Sequence, residues 1–485
     1  MYNLNDPSVL WVSPNAGDNG NGTHENPFGD IQRALADVRP GATIVLMGGV
    51  YGRDTTFDIS GTVRQPIRIV ADRGAEVEIR NACWFFYDVS DCIVSGLTFR
   101  DAPYGAVSVI GACARNRFEN LRFVNCGTRR ATSCTLFFGG SGGTCNVVEG
   151  CRFERAAEDG TAARDSTIMS IGLMVSEGDK DGGEPLTDHV FRKNYFVNYD
   201  YGILIGTGDA PAGQYSHIVE QNTVERCGTE GILVKCGDTL VRGNVVVRCR
   251  NRSITIGAGS GSFIGSNRIL DCANGIAVYG DGHTVANNCI VRCGGEAIGV
   301  CGASAGTELR AASNIIVENN TCIDNGRNRK NHTARVIGVR IDPGTTSVVR
   351  RNLFYGEGIP CAGAGAAVNG TRKTASLIIE NISSGQCGTA EGVAAADVAF
   401  ENGKDDDFTN TSGYGAAGWV LTPDAFDPHG DDIDEADDYR CGHWEIDDTD
   451  EERGEPEAET AKSAAEDFEG FMERFYSDKV ERTDN

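Results

Sequence analysis

EGILVKCG, residues 230–237, is one of five near-copies; the others are YGILIGTG (201–208), RSITIGAG (252–259), NGIAVYGD (274–281) and EAIGVCGA (296–303). Each runs apolar, any, apolar, then one variable residue and a turn. Such alternation describes a strand with one face turned inward, so Ile232 and Val234 point to a core while Leu233 and Lys235 point out. In the other copies the place of Lys235 is taken by Gly206, Gly257, Tyr279 or Cys301.

A second motif, Asn-x-apolar, recurs between these strands at Asn194, Asn222, Asn244, Asn267 and Asn288, and continues with insertions at Asn352 and Asn381. The bare spacing is 21–23 residues, with weaker copies back through LRF (121–123) and CRF (151–153). Each repeat holds about three short period-2 strands divided by Gly, Asn or Asp turns. One such repeat cannot bury its own apolar face, and stacking makes the faces continuous. The predicted fold is all-β: a right-handed single-stranded parallel β-helix of about a dozen coils, ~60 Å long. A leucine-rich repeat would show Leu-x-x-Leu-x-Leu, which is absent, and a propeller needs longer repeats of about 40–45 residues.

Before the repeats, Asp30–Val38 reads as a short helix, with Ile31, Ala34 and Leu35 apolar, followed by the strand TIVLM. Residues 1–42 are therefore expected to cap the rod and cover its first edge. Residues 43–400 would form the coils, and 401–430 their C-terminal end. The charge runs of 431–460 read as an acidic linker. Residues 461–485 read as an amphipathic helix: Ser463 and Glu466 offer a capping box, and Phe468, Phe471, Met472, Phe475 and Tyr476 follow at helical spacing. That helix would fold back on the rod's open C-terminal end, or mediate homo-oligomerisation or attachment to a larger, virion-like assembly.

The net charge of −25 belongs to the tail, since residues 401–485 contribute −21 of it. A body close to neutral, without a basic stripe, argues against nucleic-acid binding. No apolar run is long enough for a membrane span, and the start MYNLNDPSVLWVSP lacks the features of a signal peptide. Cys227, Cys249, Cys272 and Cys293 lie one repeat apart and read as a column of reduced, buried fillers. No Cys/His spacing suits zinc, and no glycine-rich loop suits a nucleotide.

The outer strand face is where chemistry would sit. Gly206, Lys235, Gly257, Tyr279 and Cys301 should stack along it, joined by Arg340 and Asp342 from the later strand ARVIGVRID. Glu230, Arg252, Asn274 and Glu296 should form a neighbouring column. An extended uronate polymer lying there would meet a base, Lys235; a neutraliser of its carboxylate, Arg252 or Arg340; and a proton donor, Tyr279. Glu296, Asp342 and Asn274 would bind the sugar.

The segment GTHENPF, with the helix and PGATIVLMGGVY after it, resembles the opening of pectate-lyase-like β-helix proteins. EGILVKCGDTLVRGNVVV resembles the Glu-x4-Lys stretch of the chondroitinase-B-like and alginate lyase family. The resemblance implies that Lys235 is the base and that Ca2+ is held by Glu230 and by Asn198 in the place of the family's Asn ligand. Gly228 stands at the second Glu ligand and Gly257 at the catalytic Arg. These readings point to a carbohydrate-active protein that binds an extended acidic polysaccharide and would cleave it by β-elimination. The alternative is a virus tail-spike or tail-fibre-like receptor-binding protein without catalysis, and a third reading is a scaffold with no glycan partner. The first two imply an extracellular or virion-associated place, the last a cell-surface or cytoplasmic one.

Overall fold

The computed structural model describes residues 6–17, 19–127, 132–156, 169–176, 184–206, 215–303, 309–326, 336–363, 376–384, 387, 390, 393–396 and 415. The expected linker and terminal helix lie outside the described residues. Strands join into three sheets of 14, 12 and 14 members, every pair parallel and each strand hydrogen-bonded to the one a coil away. The chain visits the first, third and middle sheets in turn, as at Leu240–Arg242, Val245–Val247 and Arg252–Ile256. This winding is a parallel β-helix. Its first sheet opens with Val9–Val12, paired to Thr43–Leu46, so a strand of the rod already lies within the segment expected to be cap. The helix spans Ile31–Asp37, is N-capped by Asp30, and buries Ile31, Ala34 and Leu35.

The interior is built of columns. On the middle sheet Ile203, Ile232, Ile254, Ile276 and Ile298 stack in register, and β-branched side chains suit a pleated, buried surface. Toward the N-terminal end the fillers are aromatic: Phe99, Phe123, Phe153 and Phe196 stack face to face at 5.3, 4.6 and 4.4 Å. Cys227, Cys249, Cys272 and Cys293 are free and buried as expected. They also act as acceptors, for the Cys249 N–H donates to Cys272 Sγ at 3.3 Å.

Turns between the first and third sheets demand a residue in the left-handed region, such as Lys193, Gln221 or Ser266, all with φ near +55°. The following Asn closes the turn. Asn244 N–H and Nδ2 both donate to Asn267 Oδ1 at 3.0 Å, and Asn244 Nδ2 donates again to Val219 O at 2.9 Å. The same pattern runs from Asn194 to Asn381, every member buried. The Asn-x-apolar motif is thus a hydrogen-bonded ladder through the rod.

The histidines that look scattered in sequence form part of a second ladder. Asn146 N–H donates to His189 Nδ1, His189 N–H to His217 Nδ1, and Ser262 N–H to His283 Nδ1, at 3.0–3.2 Å. Burial pushes His217 and His283 down to about 4 and His189 well below its usual value. All three are neutral at pH 7.

Two outcomes are expected. Asn267→Ala removes four buried hydrogen bonds and strands the Asn244 N–H, which should cost about 3 kcal/mol in denaturant unfolding. Asn274→Ala, on the outer face with one longer bond at 3.3 Å, should cost under ~1 kcal/mol. Because the folded histidines release protons more readily than the unfolded ones, stability should fall as pH drops from about 6.5 to about 4, by up to about 3 kcal/mol each for His217 and His283. His217→Asn, which keeps an acceptor as Asn146 does in the same ladder, should flatten that slope in unfolding measured across this range.

Candidate functional site

The outer face of the middle sheet gathers most of the expected residues. Leu233, Thr255, Ala277, Gly299 and Arg340 form one outward column in direct register. Lys235, Gly257, Tyr279, Cys301 and Asp342 follow their strands' inward Val234, Ile256, Val278, Val300 and Ile341, and make the next. Glu230, Arg252 and Asn274 stand in register at the strand starts. Arg340 and Asp342 both lie on this face, Arg340 in register with Gly299. The twin IGV triplets at 298–300 and 337–339 are offset by two residues, an even number that leaves the inward face unchanged.

Glycine makes room for the long side chains. A Cβ on Gly257 would lie 3.3 Å from Lys235 Cγ, and one on Gly299 would lie 3.3 Å from Arg340 Nη2. Arg340 is held tightly: Nε donates to Glu296 Oε1 at 2.7 Å, and Nη1 pairs with Asp342. Despite the pull of burial, Glu296, Cys301 and Asp342 hold its pKa above the usual arginine value. The expected substrate-binding residues Glu296 and Asp342 are therefore already engaged by a cation of the protein itself.

Arg252 is less committed. Its guanidinium sits 5.9 Å from the Tyr279 ring centroid, and its closest carboxylate contact is Glu230 Oε1 at 3.9 Å. Lys235 is half-buried and makes no ion pair among the described residues. Burial raises Tyr279, which keeps the phenol protonated, and likewise raises the Cys301 thiol. Glu230 is 7 % exposed, and its buried Oε2 has no hydrogen-bond partner. Burial raises its pKa against the opposing pull of Arg252, the nearby Thr255 hydroxyl and Lys235.

Asn198, the other expected calcium ligand, sits apart in a left-handed turn with φ 61°. Its Nδ2 donates to Arg155 O at 2.8 Å and its Oδ1 accepts from Arg226 Nε at 3.2 Å. Calcium takes six to eight oxygens, and no group of three His, Cys, Asp or Glu converges among the described residues. Among the described residues, Glu230 and Asn198 thus find no further pair of acidic ligands beside them. One contributor was missed in sequence: Leu309, from the insertion after Cys301, packs on Ala277, Tyr279 and Cys301 and overhangs the trough. The extra length of that repeat was the only signal.

The other two outer faces are self-neutralised. Arg192 pairs with Glu149 at 2.7 Å, Arg242 with Glu220 at 2.8 Å and Arg350 with Glu318 at 2.7 Å on the first sheet. Arg100 pairs with Glu78 and Arg122 with Glu154 on the third.

This winding has solved counterparts. The alginate lyase AlyGC, of polysaccharide lyase family 6, superposes with a TM-score of 0.64 at 17 % identity, covering 86 % of this chain and 58 % of that one. A mannuronic acid specific family 6 lyase from human gut microbiota gives 0.60 at 16 % identity, covering 82 % and 93 %. The fold is the right-handed parallel β-helix of the pectate-lyase-like proteins. Among sequences, this β-helix is 32 % identical to pectate lyase L of Thermoclostridium stercorarium over 139 residues, which is 25 % of this chain and 10 % of that protein. It is 26 % identical to the uncharacterized protein YwoF of Bacillus subtilis (strain 168) over 212 residues, 41 % of this chain and 45 % of YwoF. The chain thus spans less than half of either curated relative. The family model NosD, described as periplasmic copper-binding protein, matches residues 146–336.

The buried Glu230 carries a prediction. Its carboxyl binds a proton more tightly folded than unfolded, so its contribution to stability is present at low pH and is lost as pH rises through the folded pKa. Glu230→Gln should unfold at higher denaturant than the unsubstituted protein near pH 8, by on the order of 1 kcal/mol, with the difference closing toward pH 4.

Proposed function

We propose that the outer face of the middle sheet binds an extended acidic polysaccharide and cleaves it by β-elimination at Lys235. One observation carries this reading: Glu230, Lys235, Arg252 and Tyr279 come together on three successive coils of a face whose Lys235 and Arg252 are not locked to protein carboxylates. The likeness to proteins titled alginate lyases, and to a pectate lyase over part of the chain, supports it.

Arg252 pairs with the uronate carboxylate and makes the adjacent C–H more acidic. Lys235, in its neutral form, takes that proton. The electron pair left behind forms the new carbon–carbon double bond as the glycosidic C–O bond breaks, and Tyr279, protonated through burial, supplies the proton for the departing oxygen. Arg340, fixed by Glu296 and Asp342, shapes the far wall. Such polymers lie outside cells, so the proposed place of action is extracellular. The relatives give the tail-fibre reading no support.

A copper-binding reading would rest on the NosD description alone. The three buried imidazoles accept backbone N–H groups through Nδ1, which leaves the ring proton on Nε2, and no three metal-ligating side chains converge among the described residues.

The test is ultraviolet absorbance of the unsaturated product over a panel of uronate polymers, with calcium and with chelator. Absorbance should rise in the presence of chelator, and Lys235→Ala and Arg252→Ala should each slow it about 100-fold or more. A flat trace with polymer binding retained would reduce the protein to a binder. A flat trace with no binding would remove the carbohydrate reading.

A further inference from the structure

The outer face of the first sheet carries a feature the proposed site does not use. One residue per coil there is apolar and points outward: Ile218, Leu240, Phe263, Ile316, Val348 and Leu377, in continuous register with Thr284 between the third and fourth. Phe263 and Leu377 are 39 % and 50 % exposed. Seven coils make a strip ~29 Å long. In the neighbouring outward column the pairs Arg242–Glu220 and Arg350–Glu318 flank it, but the two coils between them carry Gly265 and Ala286. The Phe263 ring lies over Gly265, where a Cβ would come within 2.1 Å of it. The strip therefore widens there into an apolar seat bounded by charged pairs. A monomer rarely leaves such a continuous strip uncovered.

The sequence supplies an occupant. Residues 463–480 carry Phe468, Phe471, Met472, Phe475 and Tyr476 at i, i+3, i+4, i+7 and i+8. A helix of that length is ~27 Å long and climbs ~5.4 Å per turn, close to the ~4.8 Å between coils. Laid along the rod, it would offer one turn of apolar side chains to each rung. The chain is last seen on the rod at Gly415, whose N–H donates to Arg351 O at 3.1 Å between the first and third sheets, and 47 residues separate it from Ser463. A flexible chain of that length spans ~38 Å, enough to bring the segment round to the first sheet.

We propose that residues 463–480 bind in cis as an amphipathic helix along this strip, with Phe471 and Phe475 in the seat beside Phe263. Amide hydrogen exchange on the full chain, read over 463–480 at several protein concentrations, tests it. The amides should be protected independently of concentration, and Phe263→Glu and Phe471→Ser should each abolish the protection while the rod amides keep theirs. Phe471→Ser leaves the rod untouched, so the test survives if Phe263→Glu fails to fold. Protection that ignores Phe263→Glu would place the segment elsewhere, such as the open end of the rod, and overturn the proposal. Protection that grows with concentration would make the occupant a second copy. No protection at all would leave the strip for another partner, and both of these results also overturn it.

Discussion

Everything in this rod depends on the backbone N–H at the tight turn between the first and third sheets. The turn is too short to continue the strand ladder, and it lies where water does not reach. A buried N–H without an acceptor is costly, so each coil must import an oxygen from its neighbour. Asparagine does so with one side chain, accepting from the coil before through Oδ1 and donating back through Nδ2. The left-handed residue ahead of it is tolerated because the ladder fixes the geometry. Histidine, serine and asparagine solve the same problem at the second turn, and cysteine or asparagine at the third.

That regularity is why the fold could be read from the chain. Asn at 21–23-residue spacing and the Ile-x-Val or Ile-x-Ile strands are direct images of the ladder and the inward columns. The outer face was readable only where the copies align without gaps. Lys235, Gly257, Tyr279 and Cys301 fell as expected because their coils have bare spacing. Arg340 and Asp342 could be assigned to the face but not to a rung, because an insertion precedes their strand. Leu309 could not be placed in advance either, since its position comes from an insertion with no periodicity. The pairing of Arg340 with Glu296 depends on side chains crossing between coils 44 residues apart in sequence, and no local pattern records that.

The three outer faces share a scaffold and differ in how their charges are used. On the first and third, arginines pair with glutamates of neighbouring coils, as Arg242–Glu220 and Arg122–Glu154 do; exposed pairs of this kind add little stability. The middle face breaks the pattern twice, with a lysine over Gly257 and an arginine stacked near a tyrosine. An anionic polymer running along the rod would find a counter-charge in the arginine there and a base in the lysine.

The asparagine ladder also has a direction. Each rung's backbone N–H points to the following coil, while its Nδ2 also reaches the coil before, so a coil fits wherever it is preceded and followed by another of the same kind. A block of some 22 residues can therefore be duplicated or lost in a gene without leaving a broken bond inside the protein. The length of the trough, and with it the number of sugar units it could span, is free to change by whole coils while the residues on any one rung stay as they are.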